Sequence, residues 1–255
     1  MKKRLLQIGA GVVILLVAAI VAVTLSLDRI IKSGVETVGP QIAQVEVKLA
    51  GVSHSLFSGK GEIKGLVIGN PEGFKSESAI KVGGVAVAVQ PSTVFSQKIV
   101  VNSINVAAPE VTFEGGLKGN NLSKILANID GSLGGASTTS TNAAASQKKL
   151  QVNDLMITDG KINVAVPGLM GKSATVPLPT IHLTDLGKDS DGITAADLSK
   201  RIMVAILESS TKAVGSMATE LGKGVTDTAT SLGKGAADSA EKVAKGIGDL
   251  FKKKK

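Results

Sequence analysis

Histidine is the side chain best suited to proton transfer and metal ligation near neutral pH, and the 255 residues hold only two, His54 and His182. Neither has a second His or a Cys at ligand spacing, and cysteine is absent. The sequence therefore specifies no zinc site and no disulfide framework. Gly171-Lys172-Ser173 matches the end of a phosphate loop. However, the place of the first glycine is taken by Val166, Pro167 falls inside the loop, and extended sequence follows where a helix is required. Asp189-Ser190-Asp191-Gly192 has the middle of a calcium loop, with Gly187 and Leu198 at the end positions that must supply ligands. A polar loop before a helix is the better reading. No G-x-S-x-G elbow occurs, and no Ser/His/Asp set can be assembled. The chain reads as not an enzyme, with no cofactor.

What the sequence does carry is a repeat. V-N-[SD]-[IL]-x-[VI] begins at Val101 and again at Val152. Each copy continues through four turn-like residues into an apolar–polar–apolar alternation, as a half-buried strand should. Pro109 occupies the turn-like residues of one copy and Asp159-Gly160 those of the other, which are turn or bulge residues. A fainter third copy starts at Ile63 and turns at Asn70-Pro71-Glu72-Gly73. Within both clear copies the apolar parity switches, at Asn102-Ser103 and at Asn153-Asp154, where a bulge or bend is expected. Three strand–turn–strand units point to one sheet built by repetition.

The formal net charge of +8 is concentrated at the two tips of the chain. Lys2, Lys3 and Arg4 supply three charges and Lys252, Lys253, Lys254 and Lys255 four, so the rest is near neutral, at +1. With no Trp, no Tyr and five Phe, the chain lacks the basic face and stacking aromatics of a nucleic-acid binder. No nucleic-acid partner is expected. Leu5 to Leu27 carries no charge; as a helix it would be about 34 Å long, enough to cross a hydrocarbon core of about 30 Å. It is longer than the apolar part of a cleaved signal peptide and lacks a good cleavage site. A retained N-terminal transmembrane helix is expected, with the Met-Lys-Lys-Arg start in the cytoplasm and the bulk of the chain outside.

Residues 28–38 continue as a short amphipathic helix, with Leu27, Ile30, Ile31, Val35 and Val38 on one stripe, ended by Gly39-Pro40. Strand signals fill most of 28–192, interrupted by a helical pattern at Leu122, Ile125, Leu126 and Ile129 and by a Gly/Ser/Thr/Ala-rich loop over 131–147. Thr194 to Asp197 resembles a capping box opening a helix. The segment 193–255 then repeats every eleven residues, placing Leu221, Val225, Leu232, Ala236, Val243 and Ile247 on one stripe. Its many glycines each cost about 1 kcal/mol against Ala, so it is expected to form on a surface, a disordered, solubilising tail being the alternative. Phe251 and the four lysines Lys252, Lys253, Lys254 and Lys255 mark a membrane-surface end.

The expected fold is α+β: the N-terminal transmembrane helix (1–27), an antiparallel, twisted, open β-sheet shaped as a groove (28–192), and C-terminal amphipathic helices (193–255). Apolar strand positions outnumber the helices available to cover them. The candidates for a lipid groove are Val45, Val47, Leu49, Val85, Val87, Val89, Ile104, Val106, Val111, Phe113, Leu155, Ile157, Ile162 and Val164. An uncovered apolar face beside a membrane is a place for acyl chains; ordinary sheet core is the plainer alternative.

The order of these pieces resembles the AsmA-like family, envelope proteins related to TamB and to bridge-type lipid-transfer proteins. The residues that carry the likeness are the anchor with Leu27 to Glu36, Val52 to Gly61, Leu66 to Phe74, Ile104 to Phe113 and Val176 to Gly187. The resemblance implies a single-pass protein of the bacterial inner membrane, N-terminus cytoplasmic and bulk periplasmic. It implies binding of membrane phospholipid, and a part in lipid transport or outer-membrane homeostasis with other envelope proteins or through self-association. It transfers no catalytic residue. Eight to ten strands at ~4.8 Å spacing would make a groove only ~40–50 Å long, too short to bridge an envelope alone. A structural or partner-binding scaffold is the alternative.

Overall fold

The computed structural model describes residues 28–55, 58–117, 119–134, 148–165 and 174–232. It is α+β, with three helices and an open, mixed sheet of eleven strands. Helix α1 covers residues 28–43. The strands are β1 (Val47–Lys48), β2 (Gly51–Ser55), β3 (Lys60–Gly69), β4 (Ser78–Val89), β5 (Lys98–Ala107), β6 (Glu110–Gly116) and β7 (Gly119–Asn120). After α2 (Asn121–Gly134) come β8 (Lys149–Thr158), β9 (Lys161–Ala165), β10 (Ala174–Pro177) and β11 (Ile181–Leu186), then α3 (Ala195–Leu232).

The eleven strands form fewer lines than their number suggests. β5 and β6 both run antiparallel to β4 in one register, with Gly84 facing Ala107 and Lys81 facing Glu110. β5–β6 is thus a single line of strand with a break at Ala108-Pro109. β8–β9 is a second such line, and β10–β11, which pairs with it through Val176–Ile162 and Ile181–Ile157, is a third. β1–β2 is a fourth, laid along β3. β7 pairs only with the end of β6; the other ten strands make six lines abreast, which at ~4.8 Å each give a sheet roughly 25–30 Å wide, narrower than the sequence suggests.

All six lines skip a ladder pair at the same level, although β3 and β4 run through it as unbroken strands. The unpaired positions Ala50, Gly65, Gly83, Ala108, Asp159 and the Pro179 region lie side by side across the sheet. Three of them have left-handed φ: +59° at Gly65, +48° at Ala108 and +56° at Asp159. The main chain stays hydrogen-bonded through this crease, Ala108 N–H donating to Thr158 O at 2.8 Å and Leu178 N–H to Gly160 O at 2.8 Å. The break resets side-chain parity. In β4, Ile80 and Val82 precede Gly83 while Val85, Val87 and Val89 follow, all on one face. The switch at Asn102 is a bulge, because Ser103 faces Ala88 and Val101 faces Val89 with Asn102 between them.

Two expectations are corrected here. The sheet is not wholly antiparallel: β5 runs parallel to β8 and β6 parallel to β9, so Val101 faces Val152 and Phe113 faces Val164. The two copies of the repeat lie side by side pointing the same way. The chain between them, α2 and the residues after it, is the long crossover that parallel neighbours need. Nor are Pro109 and Asp159-Gly160 reversals; each is the crease within a strand that keeps going. Two boundaries also move. α2 runs to Gly134, four residues into the stretch read as loop. α1 runs past Gly39-Pro40 to residue 43, ending where Gln44 takes φ +51° and donates its N–H to Pro40 O.

One face of the sheet holds the core. Leu122, Ile125 and Ile129 of α2 and Met203, Ile206 and Val214 of α3 are buried against it, as the helical spacing of the α2 residues predicts. A polar chain fastens one end of α2. The buried Asn121 amide donates to Asn70 Oδ1 and to Thr112 O, both at 2.8 Å, and its oxygen accepts the Glu114 N–H. Burial alone would raise the Glu114 carboxyl. Hydrogen bonds from Ser76 and from the Lys75 and Ser76 backbone instead hold it below its usual range. α3 opens with the expected capping box: Asp197 N–H donates to Thr194 Oγ1 at 3.0 Å, and Thr194 N–H to Asp197 Oδ2 at 3.1 Å.

Two predictions follow from the crease and the cap. Gly65→Ala meets both the positive φ and Ala50 Cβ at 2.6 Å, and should cost about 2 kcal/mol or more in a denaturant melt. Gly83→Ala, which meets nothing within 4 Å, should stay within about 0.5 kcal/mol of the parent. Asp197 is held below its usual pKa, chiefly by the Thr194 hydroxyl. Its contribution is therefore fully present above the unfolded value of about 3.9 and fades as pH falls through the lower folded value. Asp197→Ala should cost about 1 kcal/mol at pH 7, and its melting curve should converge on the parent's as the medium is acidified below that window.

Candidate functional site

The fourteen apolar candidates share the covered face but not the same exposure. Val45, Val47, Leu49, Val85, Val111, Phe113, Leu155, Ile157, Ile162 and Val164 are buried. Val87, Val89, Ile104 and Val106 are half-buried and pack only against the edge of that core. These four are neighbours, Val87 facing Ile104 and Val106 facing Val85 across β4 and β5. The difference follows from where the helices lie. α2 packs on β6 and β7 and α3 on β10 and β11, leaving the β4–β5 end least covered. The membrane-surface candidates Phe251, Lys252, Lys253, Lys254 and Lys255 lie outside the described residues, as does the expected span, Leu5 to Leu27. No helix among the described residues is long and apolar enough to cross a membrane.

The less covered end leads to a tip the sequence reading missed. β4 and β5 are joined by a short 3-10 turn, Pro91–Thr93, and the residues after it. There Phe95 is 95% exposed, with Val94 exposed beside it. The tip is ringed by Lys60, Lys98, Lys148 and Lys149. Lys60 faces Ala88 at the end of β4, Lys98 faces Lys149 across β5 and β8, and Lys148 Nζ donates to Val94 O at 2.6 Å. None of the four forms an ion pair among the described residues. The same end carries exposed Asp189 and Asp191 on the turn after β11. It also receives the start of α1: Asp28 Oδ1 lies 2.7 Å from His54 Nδ1 near the end of β2. The residue that directly follows the expected membrane span is therefore held at the end of the sheet where Phe95 protrudes. A lone Phe between Thr93-Val94 and Ser96-Gln97 is visible in the sequence, but its exposure is not.

The residues first weighed for chemistry do not converge. His54 and His182 sit on β2 and β11, the outermost described strands on opposite sides, each against its own carboxylate. His182 Nε2 lies 2.6 Å from Asp154 Oδ1 on the polar face. Among the described residues no group of three His, Asp or Glu could hold a metal ion. Gly171-Lys172-Ser173 lies outside the described residues. Asp189 to Gly192 forms the polar turn before α3, with Gly192 at φ +94°. Comparison of the chain with models of protein families, with curated proteins and with solved structures finds no match in any of the three.

Proposed function

We propose that this chain is a non-enzymatic, membrane-anchored protein whose β-domain stands end-on against a phospholipid surface. In this reading the Phe95 tip enters the headgroup layer, and acyl-chain contact is confined to Val87, Val89, Ile104 and Val106. The observation that carries it is the exposed Phe95 at the end of the sheet that also holds Lys60, Lys98, Lys148 and Lys149, none of them in an ion pair among the described residues, and where residue 28 joins the sheet. Burying a Phe contributes about 2 kcal/mol, and each lysine near an anionic leaflet about 1 kcal/mol. That is enough to orient a tethered domain and too little to anchor a free one, which suits a chain whose span precedes α1. In this reading the activity belongs to the periplasmic side of a bacterial inner membrane, in lipid transport or outer-membrane homeostasis, as the resemblance to the AsmA-like family implies. A sheet only six lines wide serves local lipid contact rather than a conduit. The ten sealed candidates favour a second reading, a tethered scaffold for a partner.

The cysteine-free chain makes the test direct. In nanodiscs containing anionic phospholipid, an environment-sensitive dye on Phe95→Cys should be reached by lipid-borne quenchers, while the same dye on Thr175→Cys should report water. A photo-crosslinker at Val87 should capture phospholipid and one at Val111 should not. A water-exposed dye at 95 together with no lipid at 87 leaves the scaffold reading in possession.

A further inference from the structure

Helix α1 is fastened differently at its two ends. At the second end Ile42 and Ala43 pack against the core, the Ser132 hydroxyl donates to Ile42 O at 2.9 Å, and the Asn128 amide donates to Ala43 O at 3.1 Å. Residues 28–38 have no such hold. None of them is buried, and Ile30, Ile31 and Val38 stand exposed. Three polar contacts join this part to the outer strand line. Asp28 Oδ1 lies 2.7 Å from His54 Nδ1, Lys32 Nζ donates to Ala50 O at 3.5 Å, and Glu36 Oε1 accepts the Leu49 N–H at 3.0 Å. The shortest of the three is incomplete: His54 Nε2 is buried with no hydrogen-bond partner among the described residues, which offsets part of what the pair contributes. A segment with no buried apolar group and so few ties opens before the rest of a fold does.

Between the loose part and the fastened part lies Gly39-Pro40. Pro40 has no N–H to give the Glu36 carbonyl, so one rung of the helix is missing there, and Gly39 has the freest backbone of any residue type. Gly39 also sits so close to β1 that a Cβ would lie 3.0 Å from Val47 Cβ. We propose that α1 is a hinged latch. Residues 28–38 swing off the outer strand line about Gly39-Pro40 and return, with Asp28–His54 as the catch. Catch and pivot lie on opposite sides of the crease, His54 facing Gly61 and Val47 facing Ile68, which gives an arm about 17 Å long. Closed, the latch holds residue 28 at the end of the sheet where Phe95 protrudes; open, it lets that end move away from residue 28. The latch stands on contacts within the fold. Its use rests on the membrane-contact reading above: closed, it keeps the Phe95 tip at the phospholipid surface, and open, it releases the tip.

Hydrogen exchange of the full chain in nanodiscs, read by mass spectrometry, tests the latch. Residues 28–38 should exchange about a hundredfold faster than Val111 to Phe113. Asp28→Ala should speed them about tenfold further, and Pro40→Ala, which returns the missing N–H, should slow them, with Val111 to Phe113 unchanged in both. Exchange at 28–38 as slow as in the core, or indifferent to both substitutions, overturns the proposal. A second measurement separates the latch from its use. In a chain carrying Asp28→Cys and His54→Cys, a photo-crosslinker at Phe95 should capture several-fold less anionic phospholipid with the thiols free than with a short thiol-to-thiol linker bridging them. Equal capture in the two states overturns the release of the tip. No capture in either state or in the parent sinks the membrane-contact reading instead, while exchange still decides the latch.

Discussion

One face of this sheet has to stay apolar across a bend, and a strand can do that only by changing its parity at the bend. Every line does so at the same level. Left-handed backbone costs a non-glycine residue about 1–2 kcal/mol, yet Ala108 and Asp159 both adopt it. The hydrogen bonds that cross the crease, and the buried residues kept on the covered face beyond it, offset that cost. Val111, Phe113, Ile162 and Val164 are buried under α2 and α3 because the lines that carry them were re-phased just before. That the apolar positions share one face descends from this one constraint; which of them are sealed depends on where α2 and α3 lie.

Much of this was legible in the residues. The repeat beginning at Val101 and Val152, the parity switch at Asn102, the buried stripe of α2 and the Thr194–Asp197 cap all appear as their local chemistry dictates. Strand direction was not legible, since alternation looks the same whether a neighbour runs parallel or antiparallel; only the length of the connection through α2 hinted at it. The count of lines was hidden because a crease and a reversal use the same residues. Pro40 was misleading for another reason: the helix continues past it for three residues, to residue 43. Of the site, the sequence could mark fourteen apolar positions but not which of them a helix lies over.

The polar contacts divide into two kinds of task. Asn121, Asn70 and Glu114 hold the turn after β3 to β6 and the end of α2, and their donors and acceptors are satisfied within the protein. The lysines around Phe95 are the opposite case: among the described residues none of the four closes an ion pair, although Lys149 lies near enough to Asp197 to help lower its pKa. A collar of unpaired like charge is electrostatically unfavourable for the isolated domain. It becomes favourable beside an anionic leaflet.

The side chains that fasten α1 also decide how this protein behaves in company. An outer strand offers its main-chain groups to any extended segment that passes. Here Glu36 occupies the amide of Leu49 and Lys32 the carbonyl of Ala50, so two charged groups stand guard over that border. Were α1 to peel away, the border would be left as a template for cross-β aggregation. Colloidal stability on this side of the molecule thus hangs on a helix that contributes few of its apolar residues to the interior.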